Sequence, residues 1–114
     1  GSGTPAGDIV EIDAIRDVFS KRPQQNGNLP LVSSTKSISG HSLCAAGVHE
    51  VIYMLIMMQN GFVAGSANIE NMDEKVQGYP IIKKTKNMPV KFCMSNSIGF
   101  GGTNASIAIR SANV

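Results

Sequence analysis

The stretch from Leu43 to Met58 is the longest apolar run in the chain and is broken only by His49 and Glu50. Wound as a helix, it spreads Leu43, Ala46, Val48, Val51, Ile52, Leu55, Ile56 and Met58 around nearly the whole circumference. A helix that is apolar all round is a buried helix. The run falls short of the roughly 18 residues a bilayer span needs, so it reads as the interior of a globular protein. The rest of a 114-residue chain offers little to bury it with. The sequence therefore predicts cover from elsewhere: more of the same polypeptide, another subunit, or both. The helix is expected from about Ser42 to about Gln59. Asn60-Gly61 then supplies the left-handed backbone that ends helices.

An earlier helix is expected from about Asp8 to about Lys21. Asp8-x-x-Glu11 has the spacing of a capping box, and Pro5 and Gly7 precede it as breakers. Ile9, Ile12, Ile15, Val18 and Phe19 recur at helical spacing, while Glu11, Asp13, Arg16 and Asp17 form a polar face. Pro23 to Pro30, with Asn26-Gly27, reads as a loop, Leu31 to Ser33 as a short strand, and Thr35 to Gly40 as a turn. Phe62 to Tyr79 reads as loop and turn, and Ile81-Ile82 as a short strand. Val90 to Ser95 and Ala105 to Arg110 read as two further strands. Helix, strand, helix and two strands make an α/β order over residues 1–114, with no internal repeat.

The net charge of +2 is too small to point to nucleic acid or a membrane surface as a partner. The one basic run, Lys83, Lys84 and Lys86, reads as a solvated strand edge or turn. Cys44 and Cys93 form no CxxC, so no disulfide framework is expected, and a reducing, cytoplasmic setting is. Two histidines and two scattered cysteines do not make zinc-ligand spacing. No basic region followed by an apolar run marks a signal peptide.

Three segments carry candidate chemistry: Gly3-Thr4-Pro5-Ala6-Gly7-Asp8, Ser34 through Gly47, and Asn96 through Asn104. In the second, His41 stands just before the expected helix N-terminus, at the positive end of its dipole. That position suits a neutral imidazole donating a hydrogen bond to a developing oxyanion. Lys36 lies on the turn feeding the same helix end, and the pair makes a plausible anion site. Spacing alone leaves open the plainer reading, with His41 as a cap and Lys36 as a surface lysine. The third segment, with Gly99, Gly101 and Gly102, joins two strands rather than opening a helix. It therefore does not read as a dinucleotide or phosphate loop.

Taken together and in this order, Gly3-Thr4-Pro5-Ala6-Gly7-Asp8, then Ser34-Thr35-Lys36-Ser37-x-Ser39-Gly40-His41-Ser42-Leu43 with Ala45-Ala46-Gly47, then Asn96-Ser97-x-Gly99-Phe100-Gly101-Gly102-Thr103-Asn104, resemble the C-terminal half of the β-ketoacyl-ACP synthases. Gly40-His41-Ser42-Leu43, Asn60-Gly61-Phe62 and Asn68-Ile69-Glu70 resemble the type I enzymes. The resemblance implies a thiolase-like α/β fold of two βαβαββ halves. This chain would be the C-terminal half without its first strand, α-β-α-β-β, and without the N-terminal half. The long apolar helix would then lie between two sheets.

The resemblance implies an acyltransferase of fatty-acid elongation. Such an enzyme condenses a cysteine-bound acyl group with malonyl-ACP as carbon dioxide leaves, with two histidines on the malonyl thioester oxygen. His41 matches the second of those histidines and Lys36 the active-site lysine. The first histidine would lie just before Gly1 and the nucleophilic cysteine in the other half, so this segment alone would be inactive. Ser2 and Thr4 match hydroxyls that bind the phosphopantetheine arm. Phe100 matches the residue whose backbone N–H forms half of the oxyanion hole and whose ring gates the pocket, and Ile98 replaces a phenylalanine of that gate. Glu50 matches a buried glutamate behind the catalytic groups, and with Ser95 and Asn96 it matches a structural monovalent-cation site. A plain pairing of Glu50 with Lys36 is the alternative. Cys44 stands where the pattern has glycine. No cofactor is implied beyond the phosphopantetheine of acyl carrier protein. The implied partners are that carrier and a second copy in a homodimer. The alternatives are a polyketide ketosynthase fragment and a non-catalytic binding module on the same fold.

Overall fold

The computed structural model describes residues 1–21 and 29–112. Most of the loop expected at Pro23 to Pro30 therefore lies outside the described residues. The chain forms two compact units, Gly1–Gly40 with Gly65–Lys84 and His41–Ala64 with Thr85–Val114.

The first unit is organised by helix α1, Gly7–Ser20. Its core is Ile12, Val76 and Tyr79, with Ile9, Ile15, Leu29, Val32, Met72 and Ile81 packed around it. Val18, expected on the same stripe, is exposed. Each three-residue step falls about 60° short of a full turn, so the stripe begun at Ile9 has rotated to the far side by Val18. The capping box is also not formed, since Ala6 precedes the helix without a side-chain cap. Asp8 instead reaches back, and its carboxylate accepts the backbone N–H groups of Ser2 at 2.8 Å and Gly3 at 3.1 Å. Arg16 pairs with Asp13, and Lys21 with Asp17, on the exposed face, where such pairs contribute little.

The turn expected at Thr35 to Gly40 is a one-turn helix, α2, Lys36–Ser39. The strands expected at Leu31 to Ser33 and Ile81-Ile82 reduce to a single parallel bridge between Val32 and Ile81. Pro30 and Pro80 lie just upstream on the two segments and carry no N–H, so the ladder cannot extend that way. Between Phe62 and Tyr79, read as loop and turn, a 3₁₀ turn at Glu74–Val76 delivers Val76 to the core. Its start is capped by the Asp73 carboxylate, which accepts the Lys75 N–H. Gly65 is required by a close backbone approach: a Cβ there would sit 2.7 Å from the Lys83 carbonyl oxygen. The next residue, Ser66, donates its N–H to the Ile82 carbonyl at 2.7 Å.

The second unit is a helix on a hairpin. A 3₁₀ turn, Leu43–Ala45, leads into α3, Ala46–Asn60, so the α-helix starts four residues later than expected. It ends as expected, with Gly61 left-handed at φ 68° and its N–H on the Met57 carbonyl. Strand β1, Phe62–Val63, pairs antiparallel with β2, Lys86–Asn87, which places Lys86 on a strand edge as expected. Strands β3, Phe92–Ile98, and β4, Asn104–Arg110, pair antiparallel from Phe92↔Arg110 to Ile98↔Asn104. The sheets are thus two separate pairs. No helix among the described residues is long and apolar enough to cross a membrane.

Strand alternation puts Cys93, Ser95, Ser97, Ala105 and Ile107 on one face of the β3–β4 hairpin. Helix α3 meets that face through Gly47 and Glu50, with Met54 buried on the same stripe. Several of its other apolar residues remain exposed, as the all-round apolar pattern required: Val48 is 63% exposed, and Ile52, Leu55 and Ile56 are also exposed, while Val51 is half-buried. Gly47, Val48, Val51 and Ile52 line an open, largely apolar cleft of about 340 Å³ against the same hairpin face.

Tyr79 is 9% exposed, and its hydroxyl is buried without a hydrogen-bond partner among the described residues. Burial pushes its phenol above the ordinary 10.0, with Arg16 working in the opposite direction. Tyr79→Phe is expected to leave stability unchanged or raise it by up to about 1 kcal/mol, because no bond is lost. Ile12→Ala is expected to cost about 2–4 kcal/mol. The raised folded value means that the Tyr79 phenol's contribution is whole below pH 10.0 and lost as pH climbs through the folded value. Urea unfolding of the full-length protein at neutral and alkaline pH checks all three, with Tyr79→Phe flattening the alkaline loss.

Candidate functional site

The candidate residues divide between the units: Ser2, Thr4 and Lys36 lie in the first, and His41, Glu50, Ser95, Asn96, Ile98 and Phe100 in the second. In the first unit, Ser2 Oγ and Thr4 Oγ1 lie 3.2 Å apart, so these two hydroxyls do come together. Thr4 Oγ1 also accepts the Gly7 N–H, and the Asp8 carboxylate holds the backbone of Ser2 and Gly3. The Gly3 to Asp8 segment is therefore a hydroxyl-bearing loop wrapped on its own carboxylate.

Lys36 opens α2, and three side chains absent from the sequence-based candidates anchor that turn. Ser37 Oγ donates to the Ser34 carbonyl at 3.0 Å and accepts the Ala67 N–H at 2.9 Å. Asn68 Nδ2 donates to the Ser37 carbonyl at 2.9 Å, with Asn68 itself left-handed at φ 64°. Ser66, which is buried, accepts the Ser34 N–H at 2.8 Å. An asparagine is one of the few residue types that takes a left-handed backbone readily. That was the available signal inside a segment read as plain loop.

In the second unit, His41 does not stand directly at the α-helix end. The backbone doubles through a turn first, and this changes how the imidazole is controlled. The Leu43 N–H donates to His41 Nδ1 at 3.0 Å. A nitrogen that accepts cannot carry a proton, so the neutral ring's hydrogen lies on Nε2. To aim that N–H, Leu43 adopts φ 51°, a left-handed backbone that costs a bulky residue roughly 1–3 kcal/mol. The local bond sets the tautomer, which the dipole argument from sequence left open.

Glu50 is half-buried rather than buried, and its Oε2 accepts the Ser95 hydroxyl at 2.6 Å. Asn96 points to the opposite face of β3, where its Oδ1 accepts the Ser106 hydroxyl at 2.8 Å. Of the three residues named for a monovalent cation, only Glu50 and Ser95 bring side-chain oxygens together. The side chains present therefore do not make a three-ligand set. Among the described residues no cluster of His, Cys, Asp and Glu suits a metal ion.

Ile98 and Phe100 flank the hairpin tip. Ile98 ends β3, Gly99 N–H bonds the Thr103 carbonyl at 2.8 Å, and Phe100 is fully exposed between them. Gly101 and Gly102 turn the chain with φ of 78° and 83°, which a side chain would resist.

Known proteins carry the same pattern. The sequence profile of the β-ketoacyl synthase C-terminal domain matches residues 1–70. The chain belongs to the β-ketoacyl synthase family. It is 48% identical over 114 residues to the 3-oxoacyl-[acyl-carrier-protein] synthase 1 of Haemophilus influenzae, covering 99% of this chain and 27% of that protein. It is 47% identical over 110 residues to the synthase 1 of Escherichia coli K12, covering 96% of this chain and 26% of that protein. It is 41% identical over 117 residues to a mitochondrial 3-oxoacyl-[acyl-carrier-protein] synthase of Arabidopsis thaliana, covering 96% and 24%. The chain thus spans about a quarter of the length of the curated relatives it matches. This β-ketoacyl synthase segment is similar to the type 1 enzymes along nearly all of its length, and membership implies the thiolase-like α/β fold.

The two cysteines differ in access. Cys44 is exposed in the turn after His41, whereas Cys93 is half-buried and burial pushes its thiol above the ordinary 9.0. Iodoacetamide is expected to modify Cys44 about tenfold faster or more, read by peptide mass spectrometry over time.

Proposed function

We propose that the full-length protein is a β-ketoacyl-ACP synthase of fatty-acid elongation. It would condense an enzyme-bound acyl thioester with malonyl-ACP. In this reading a cysteine outside this segment takes the acyl chain as a thioester. The malonyl C–C bond to the carboxylate then breaks and releases carbon dioxide. The electron pair left on Cα, delocalised onto the thioester oxygen, attacks the acyl carbonyl and expels the cysteine thiolate. The product is a β-ketoacyl-ACP.

The observation that carries this reading is the Leu43 N–H on His41 Nδ1, because it leaves Nε2–H as a donor for the thioester oxygen where charge develops. Lys36 is proposed as the active-site lysine, held by the Ser37, Ser66 and Asn68 bonds. Ser2 and Thr4 are proposed to bind the phosphopantetheine arm. The Phe100 backbone N–H is proposed as one oxyanion donor, with the rings or chains of Phe100 and Ile98 as the gate. Glu50 is proposed to support the site through Ser95, and it also supplies one oxygen to any cation there. The proposed partners are acyl carrier protein and a second copy of the enzyme, in the cytoplasm. The exposed apolar face of α3 is proposed to be covered by the rest of the full-length fold.

His41→Ala in the full-length protein is expected to lower malonyl-ACP decarboxylation by about 100-fold or more, with acyl transfer to the cysteine retained. Wild-type decarboxylation by that variant would overturn the reading. The 114-residue segment alone is expected to form no β-ketoacyl-ACP and to self-associate through its uncovered helix face. Light scattering and a condensation assay on the purified segment check both.

A further inference from the structure

The turn that carries His41 is held at a second point that the condensation chemistry above does not use. Ser42 Oγ lies 2.9 Å from His49 Nδ1, seven residues on and one turn into α3. The His49 ring in turn packs at a tilt on Tyr53, with centroids 6.3 Å apart and planes at 42°. Ser42 is the residue between His41 and the left-handed Leu43, so this bond acts on the turn where its geometry is least favourable. A hydroxyl both donates and accepts, so the link persists whichever ring nitrogen of His49 carries the proton, and when both do. The other bonds described for the turn are the Leu43 N–H on His41, the Ala45 N–H on the Ser42 carbonyl at 3.1 Å and the Ala46 N–H on the Leu43 carbonyl, and all are local. Among the described residues, His49 ties a side chain of the turn to the body of α3.

We propose that His49 is a positioning residue for His41. Braced on Tyr53, it clamps Ser42 and so keeps the Leu43 N–H aimed at His41 Nδ1. The inference rests on the proposed role of His41. It predicts that loosening the clamp costs the step that needs an oriented Nε2–H and spares the step that does not.

The test uses the full-length protein, with malonyl-ACP as the probe for decarboxylation and acyl-ACP as the probe for acyl transfer. His49→Ala and Ser42→Ala are each expected to lower kcat for decarboxylation about three- to tenfold, with KM and the acyl-transfer rate within twofold of wild type. The double variant is expected to be no worse than the more impaired single, because both changes break one link. His49→Gln, whose amide can reach the same hydroxyl, is expected to recover most of the rate. Decarboxylation within twofold of wild type in His49→Ala would overturn the clamp. So would a parallel fall in both steps with a lowered melting temperature, which marks a merely structural role. A His41→Ala variant that decarboxylates normally would overturn the functional reading itself, and that result is separate from the clamp.

Discussion

Helix α3 rests on the β3–β4 hairpin, with Gly47 and Glu50 among the residues that meet it, and most of the second unit depends on that seat. Gly47 lets the helix approach closely: a Cβ there would stand 3.1 Å from Ser97 Oγ. One turn on, Glu50 accepts the Ser95 hydroxyl at 2.6 Å, a bond to a charged group worth roughly 1.5–3 kcal/mol. Both contacts use the face of β3 whose side chains are small, and both lie on one stripe of the helix. The hairpin can be polar there because the helix brings a glycine and a carboxylate to meet it. The same seat leaves Leu55 and Ile56 exposed, and Val48 and Ile52 exposed beside the cleft against the hairpin, which is why the helix shows so much apolar surface.

The seat also sets the starting point of the segment that matters most chemically. The chain enters α3, just before Gly47, through a 3₁₀ turn rather than a straight helical entry. That turn is tight enough to need Leu43 at positive φ, and this strained residue directs its N–H into the ring of His41. A costly backbone geometry is thus tied to one hydrogen bond on a candidate catalytic group. Strain held at a functional position by its surroundings has this form.

In the first unit the equivalent logic is carried by hydroxyls and amides rather than by an imidazole. Ser34, Ser37, Ser66 and Asn68 knit the α2 turn to the segment after Gly65. Gly65 makes this possible by allowing the backbone to lie against Lys83 and Lys84 without a side chain between them. Family membership gives these contacts a context, since the matched profile spans both the Lys36 turn and the Asn68 loop.

The sequence by itself determined the two long helices, the termination of the second at Gly61, the strand pair around the glycine-rich tip and the family. Each of these follows from local signals: apolar spacing, a left-handed glycine, or three motifs in a specific order. The candidate residues His41, Lys36 and Thr4 were named for the same reason, since they lie inside those motifs. Tertiary structure alone decided the rest. It reduced two expected strands to one bridge beside two prolines, and turned Asp8 from a cap into an anchor for the preceding loop. It set Ser95 against Glu50 and Asn96 against Ser106. These outcomes depend on which groups meet across the fold, and one-dimensional spacing does not encode direction in space.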